Sequence, residues 1–361
     1  MRKCTHRTAA LACALGSLLT GCAVVGPAAV YNGRLAYNEA IINTDNQQML
    51  LLVVRNRYGE RSNLLAVASV TANVRVAANA GIEAGVGDSD NYAGNLVPFS
   101  AGVIYEENPT ISYTPVGGEK YARQLMAPTS ITSLAEFSRN LADPAPVFYA
   151  LVSGVNGIYN PDFLPQSGVP DERFIQIVTN ITELARAHRL HWVRDSGRDQ
   201  HFSIIIDHYW PDYTDKVNNL LTLLGISAPK HRPSRITLPI SLALDGKDSG
   251  GIGISTRSLF ELLEILSSAV ELPEQDRAGG AAVSYPSPGM LAKQLRVHYA
   301  KTKPSHASVA VKYRGGWFYI DEKDQATKQF FRILTTLLAV NIAESTEGAS
   351  AAPVLTVPVS R

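Results

Sequence analysis

Four of the eight histidines in this 361-residue chain fall between 188 and 208, as His188, His191, His201 and His208, with Asp195, Asp199, Asp207 and Asp212 around them. Imidazoles and carboxylates are zinc ligands, and a zinc site needs three or four of them converging with tetrahedral geometry. His188 and His191 have a spacing that meets across one helical turn, but the helical pattern ends there and gives way to HWVRD. The plainer reading is adopted: solvated or hydrogen-bonded histidines at helix and strand ends, with no metal and no other cofactor expected. The same segment carries Trp192, Tyr209, Trp210 and Tyr213. These large rings with polar edges would line a groove for glycan or peptide.

Nucleophilic chemistry finds little footing. No Gly-x-Ser-x-Gly elbow occurs. The lone Ser-x-x-Lys match, Ser227 to Lys230, is interrupted by Pro229, which spoils the turn that would bring hydroxyl to amine. DGKDSGGIGIS at 245–255 lacks the Gly-Lys-Ser/Thr ending of a phosphate loop and the full Gly-x-Gly-x-x-Gly spacing. It reads as a flexible connection.

The first residues give an address. Arg2, Lys3 and Arg7 form a basic region, Thr8 to Leu18 an apolar one, and Leu19-Thr20-Gly21-Cys22 follows. This is the build of a secretory signal peptide rather than a membrane span. Its end resembles the lipobox of bacterial lipoproteins, in which a cysteine is acylated and becomes the new N-terminus after cleavage. The resemblance implies a covalent lipid on Cys22. With Ala23 rather than Asp following, it also implies sorting to the outer membrane, with the body in the periplasm. The other two cysteines, Cys4 and Cys13, fall in the discarded segment, so no disulfide within the mature chain and no cysteine catalysis are expected.

Of 33 basic and 32 acidic residues, three basic ones lie in the signal, leaving a mature charge near −2 and no electrostatic case for nucleic acid. No later run approaches the roughly 18 apolar residues of a helical span. The lipid is therefore the only anchor that hydropathy reveals, and the partners expected are the outer membrane, further copies of the chain or an envelope protein complex.

The elements that must position these residues can be laid out in order. Residues 1–21 are signal and 22–43 a lipid-anchored tether. Residues 44–62 hold a buried helix, opened by Thr44 and Gln47 at capping-box spacing. Residues 63–116 form a β region, 117–343 a helix-rich α/β body, and 344–361 a small-residue tail. Within the body, EKYARQLM, SITSLAEFSRNL, APVFYALVSGVNG and DERFIQIVTNITELARAHRL read as helices, the last with Phe174, Ile177, Val178, Ile181, Leu184 and Ala185 on one face. Strands are expected at HFSIIIDHY, RITLPISLAL, QLRVHYA and SVAVKY-RGG-WFYID. A helix from Ser258 opens with Ser258 and Glu261 in a capping box, and another spans about Glu322 to Ala343. The class is α+β.

QQMLLLVVRNRYGE and NPTISYTPVGGEKYARQLM resemble blocks of a group of bacterial lipoproteins without an assigned function. That likeness implies the address and the fold but no chemistry. The sharpest pattern lies between these blocks. Every even position from Leu64 to Val86 is Leu, Ala, Val or Ile, a strict period of two that speaks for strand over helix. VPFSAGVIY at 97–105 alternates too, and the Asp/Asn/Gly cluster between them makes a long hairpin or meander. As a single strand the first run would stretch on the order of 75 Å, several times the usual length, so it must bend, break or leave the body. Two uses of its apolar face follow. It either covers the chain's own helices, or it meets lipid in a β-barrel shared between copies, an architecture that resembles the lipoprotein pore for curli export. In the second case Val70, Ala72, Val74, Val76, Phe99 and Val103 face the membrane. The function expected is a non-enzymatic lipoprotein of envelope assembly, scaffolding or transport, with a pore subunit and a periplasmic glycan- or peptide-binding protein or hydrolase as alternatives.

Overall fold

The computed structural model describes residues 22–71, 74–82, 99–107, 110–141, 143–161, 171–194, 202–229, 231, 233–243, 251–285, 293–346 and 355–358. The fold is α+β, and the chain divides into two compact units. One comprises Met1–Asp45, Leu65–Pro115 and Ala351–Arg361; the other, the body, comprises Asn46–Leu64 and Val116–Ser350.

A single helix, α1 (Cys22–Arg57), contributes to both units. The expected tether at 22–43 is thus helical, and Thr44 does not start a helix. Its hydroxyl donates to the carbonyls of Ala40 and Ile41, both at 2.9 Å. That back-bonding belongs to a threonine inside a helix, whereas an N-cap accepts from an N–H. The helix runs through Gly26, Pro27 and Gly33.

The long alternating run is divided between two strands, β1 (Leu64–Thr71) and β2 (Val74–Ile82), and the returning arm is divided likewise into β3 (Phe99–Glu107) and β4 (Thr110–Val116). β2 and β3 form a two-stranded antiparallel ribbon with nine successive pairs, from Val74 opposite Glu107 to Ile82 opposite Phe99. β1 and β4 join a three-stranded sheet in the order β1-β4-β14, where β14 (Leu355–Pro358) runs antiparallel to β4, Leu355 opposite Tyr113 and Pro358 opposite Thr110. The end of the chain, expected to be a plain tail, therefore supplies a strand.

The body is built on a six-stranded sheet. Its strands are β5 (Val152–Val155), β6 (Ile158–Tyr159), β7 (Leu190–Arg194), β8 (Phe202–Asp207), β9 (Arg235–Leu242) and β10 (Ile252–Thr256), in the order β6-β5-β10-β9-β8-β7. All neighbours are antiparallel except β9 and β10. Gly251, at the entry to β10, sits so close to β9 that a Cβ there would meet the Pro239 carbonyl oxygen at 2.4 Å. Its glycine serves close strand approach. Around the sheet lie α2 (Gly118–Met126), α3 (Ile131–Asn140), α4 (Ala145–Leu151), α5 (Glu172–Arg186), α6 (Thr214–Leu223), α7 (Leu259–Ser268) and α8 (Glu274–Ala278). A meander of β11 (His298–Ala300), β12 (Ala307–Tyr313) and β13 (Gly316–Asp321) follows, then α9 (Gln325–Thr346).

Apolar periodicity explains most of this packing. α5 buries Phe174, Ile177, Val178, Ile181 and Leu184, and α9 buries Phe330, Phe331, Leu334, Leu337 and Leu338. Each such side chain contributes about 1.5–3 kcal/mol on leaving water. α7 opens with the expected capping box: Ser258 Oγ accepts from Glu261 N, and the Glu261 carboxylate accepts from Ser258 N at 2.7 Å. The reading of APVFYALVSGVNG as one helix is overturned, because α4 ends at Leu151 and Asn156-Gly157 makes a two-residue turn between β5 and β6. Both turn residues have positive φ, 46° and 76°, the conformation for which Asn-Gly is the preferred pair.

Candidate functional site

β8 alternates Phe202, Ile204 and Ile206 into the core, which puts Asp207 on the other side of the sheet at the strand's last position. β9 begins with Arg235 directly opposite it. His208 then adopts φ +48°, a left-handed conformation uncommon for a residue with a side chain, and takes the chain out of the strand. Tyr209 turns inward, buried, and donates its hydroxyl to the Pro233 carbonyl at 3.0 Å. Trp210 follows, 53 % exposed, joined to Pro211 by a cis peptide. Asp207, His208, Tyr209, Trp210, Pro233, Ser234 and Arg235 together line a cleft of about 480 Å³.

The electrostatic centre of this cleft is Asp207, whose side chain is 13 % exposed. Its Oδ1 faces His208 Nδ1 at 3.2 Å and His191 Nε2 at 3.6 Å, and its Oδ2 faces Arg235 Nη2 at 3.7 Å. Only the His208 contact is within hydrogen-bond distance, and a carboxylate has lone pairs for several such bonds.

The four aromatic residues expected to share a groove do not share one. Tyr209 and Trp210 are brought together, but Trp192 lies in a second cavity of about 470 Å³, stacked on Phe148 with centroids 6.4 Å apart. That cavity is bordered by Arg139, Arg186, His188 and His191, and Arg186 there pairs with Asp143 at 2.7 Å. Tyr213 lines neither cavity and receives the Arg189 guanidinium over its ring at 5.8 Å. Tyr209 turns inward and Trp210 outward once His208 reverses the backbone, and Tyr213 closes the turn that follows, its N–H donating to the Tyr209 carbonyl at 2.9 Å just ahead of α6. The residues missed from sequence were Ser234 and Arg235, which face DHYW only through the β8–β9 register.

Among the histidines, His188 has a structural task. It sits at φ +56° just past α5, where the next N–H, that of Arg189, donates to the Leu184 carbonyl at 2.8 Å, a left-handed helix end normally taken by glycine. His201, Asp195 and Asp199 lie outside the described residues. Among the described residues no group of three or more His, Cys, Asp or Glu is placed to hold a metal ion. Lys230 and residues 245–250 also lie outside them, whereas the rest of the segment read as a flexible connection enters the buried strand β10.

A second polar and aromatic cluster fixes the end of α1 to the body. Asn56 Nδ2 donates to Glu264 Oε1 at 2.7 Å, Ser267 Oγ donates to the Val53 carbonyl at 2.9 Å, and Tyr58 Oη donates to Asp276 Oδ2 at 2.6 Å. Arg314, at φ +47° in the β12–β13 turn, lays its guanidinium 4.3 Å from the Tyr58 ring centroid and donates to Glu60 Oε1 at 3.1 Å, and Glu60 also accepts from Tyr313. Burial, reinforced by the Asp276 carboxylate, pushes the Tyr58 phenol far above its ordinary value. The hydrogen bond from Tyr313, with Arg314 beside it, holds Glu60 below the usual carboxylate range. Every one of these groups is occupied in holding the fold.

For the residues assigned to the membrane, the register decides. Val74 and Val76 on β2, and Phe99 and Val103 on β3, occupy positions of one side of the ribbon, with Ala78, Ala80, Ile82, Ala101, Tyr105 and, at its end, Glu107. Val70 belongs to β1, in the other sheet, and Ala72 lies outside the described residues. Cys22 is the first residue of α1. Among the described residues no helix is long and apolar enough to cross a membrane.

No protein-family model, no curated protein and no solved structure matches this chain.

Proposed function

We propose that this chain is a non-enzymatic lipoprotein of the outer membrane, anchored through lipid on Cys22, whose periplasmic body serves envelope assembly, scaffolding or transport and whose copies associate through the β2–β3 ribbon. The observation that carries the association is the ribbon itself. It pairs nine residues on nine with an apolar alternating side, and neither outer edge is joined by another strand among the described residues. A lone two-stranded ribbon is marginal in water, and open edges template further pairing. Proteins guard such edges with proline or lysine. The edge strand β14 contains Pro358, whereas VRVAANAGI and FSAGVIYEE contain neither proline nor lysine.

A second reading, a shared transmembrane barrel, is favoured by the strand length. Nine residues per strand falls at the short end of the roughly 9–11 that a tilted strand needs to cross a bilayer. The side with Val74, Val76, Phe99 and Val103 would meet lipid, and Arg75 and Asn79 would line water.

The anchor is tested by Cys22→Ala, which should leave an unacylated precursor that no longer fractionates with the outer membrane. Normal attachment of that variant would sink the lipoprotein reading. Association is tested by electron microscopy and light scattering of detergent-extracted full-length protein, in which rings or closed oligomers are expected. Val103→Lys should disperse them, because a lysine on the lipid side costs about 2–4 kcal/mol at mid-bilayer, while thermal unfolding of the body stays unchanged. A strict monomer, or oligomers indifferent to Val103→Lys, would overturn the ribbon's role.

A further inference from the structure

We propose that the cleft between residues 207–210 and 233–235 binds a neutral carbohydrate. This goes beyond the membrane and assembly role, and it depends on neither the lipid nor the ribbon. The cleft's volume of about 480 Å³ lies in the range of small-molecule sites and suits one or two sugar rings. Its wall carries an indole left 53 % exposed at Trp210, and a large exposed aromatic at the mouth of a polar cleft marks a contact surface. The apolar face of a pyranose ring is flat enough to lie against such a ring.

The charges select among ligands. Asp207 is an acceptor ringed by His208, His191 and Arg235 at 3.2, 3.6 and 3.7 Å, so acceptor and donors stand side by side with neither sign in excess. An anion placed there meets the Asp207 carboxylate, and a cation meets Arg235. A hydroxyl donates and accepts at once and satisfies both. Ser234 adds a further hydroxyl to the lining. The second cavity differs, since its titratable lining, Arg139, Arg186, His188 and His191, is basic, and the nearby Asp143 is engaged by Arg186 at 2.7 Å.

The cleft is also held ready. The Tyr209 hydroxyl bonds the Pro233 carbonyl at 3.0 Å and ties one wall to the other, while the paired positions of Asp207 and Arg235 are fixed by the β8–β9 ladder. A site whose walls are set beforehand loses less affinity to ordering on binding.

Calorimetry and tryptophan fluorescence on the full-length protein, in a detergent without a sugar headgroup, provide the test. The probes are soluble oligomers of N-acetylglucosamine, malto-oligosaccharides and cello-oligosaccharides, with oligogalacturonate and glucosamine oligomers as charged counterparts. At least one neutral oligosaccharide should bind saturably. Trp210→Ala and Asp207→Asn should each weaken it about tenfold or more, as expected where a hydrogen-bonding or stacking partner of a polar ligand is removed. Trp192→Ala should leave it within about twofold, since Trp192 lies in the other cavity. Trp210→Ala alters an exposed side chain, so its fold survives and circular dichroism will show it. The proposal falls if no neutral oligosaccharide binds saturably, if Trp210→Ala binds as tightly as the parent, or if a charged oligomer binds at least tenfold tighter than every neutral one.

Discussion

Replacing Asn156 by alanine should destabilise the body by about 3–4 kcal/mol, more than most single substitutions do. This side chain, in the turn between β5 and β6, ties together three elements that are distant in sequence. Its Nδ2 donates to the Leu224 carbonyl at 2.8 Å, at the end of α6, and to the Gly251 carbonyl at 3.3 Å, at the entry to β10, while its Oδ1 accepts from Gly253 N at 2.7 Å. The two short bonds are worth roughly 1 kcal/mol each, and leaving the Gly253 N–H without its partner adds about 1 kcal/mol. Alanine at φ +46° adds about another 1 kcal/mol, because Asn tolerates the left-handed region and Ala does not. Asn156→Gly removes the bonds but not the turn geometry, so it should lose less than alanine, about 2–3 kcal/mol. Asn156→Asp keeps the acceptor for Gly253 but turns a carboxylate oxygen toward two carbonyls, and should be at least as harmful as alanine at neutral pH. Urea unfolding followed by circular dichroism measures all three. In a heat ramp the alanine variant should melt about 6–16 °C lower. An alanine variant within about 1 kcal/mol of the parent, or a glycine variant indistinguishable from it, would refute the latch and leave Asn156 as turn chemistry alone.

Three more outcomes follow from the same geometry. Ser258→Ala removes the cap accepted from Glu261 N and should cost about 1–2 kcal/mol, read as a lower urea midpoint with an unchanged slope. Raising the pH should destabilise the body from about pH 10 upward: Tyr58 and Tyr285 are pushed far up by burial and Tyr121 to about 12, so above the ordinary phenol value the unfolded chain releases protons that the folded chain retains, and stability falls. Phenolate absorbance should accordingly show part of the tyrosines titrating only as circular dichroism reports unfolding, and Tyr58→Phe should shrink that late fraction. Gly316→Ala should be severe, because a Cβ there would stand 2.2 Å from the Tyr299 ring, itself packed on Phe318 with centroids 5.3 Å apart; a variant that melts with the parent would mean that the ring can swing aside at little cost.

Much of the body was legible because local and global signals agree there. Ser258 and Glu261 form the capping box that their spacing announces, and α5 buries the stripe that its period announces. RGG between two alternating runs is the β12–β13 turn, with Arg314 and Gly315 at φ +47° and +81°. Failures occurred where a strong local signal met a stronger one from elsewhere. APVFYALVSGVNG is apolar enough for one helix, but Asn156-Gly157 demands a turn, and β10 offers Val152–Val155 an antiparallel partner. Thr44 and Gln47 have cap spacing, yet the helix passes through them. The aromatic cluster was visible as a composition, whereas its division follows from the strands that carry it: Trp192 on β7 borders one cavity, and Tyr209 and Trp210, past the end of β8, line the other. Arg235 was out of reach for a different reason: it meets Asp207 through a pairing of strands 28 residues apart.

The alternating run from Leu64 to Val86 shows how period and length carry different information. Period two announces strand, and the described parts of the run, Leu64–Thr71 and Val74–Ile82, are strands of two different sheets. What periodicity could not express is that the two pieces have different neighbours. On the returning arm β14 lies along β4, so β4 is an interior strand, while β3, continuing the same arm, keeps an open edge among the described residues. Proline is present in the edge strand β14 and absent from β2 and β3. In the proposed association β3 of one copy joins β2 of the next while β14 keeps its place on β4. The segment so exposed is nine residues long on each strand, close to the length at which a tilted strand meets both faces of a bilayer. The proposed association at a membrane rests on this coincidence of open edges with span length more than on the hydrophobicity of an alanine-rich face.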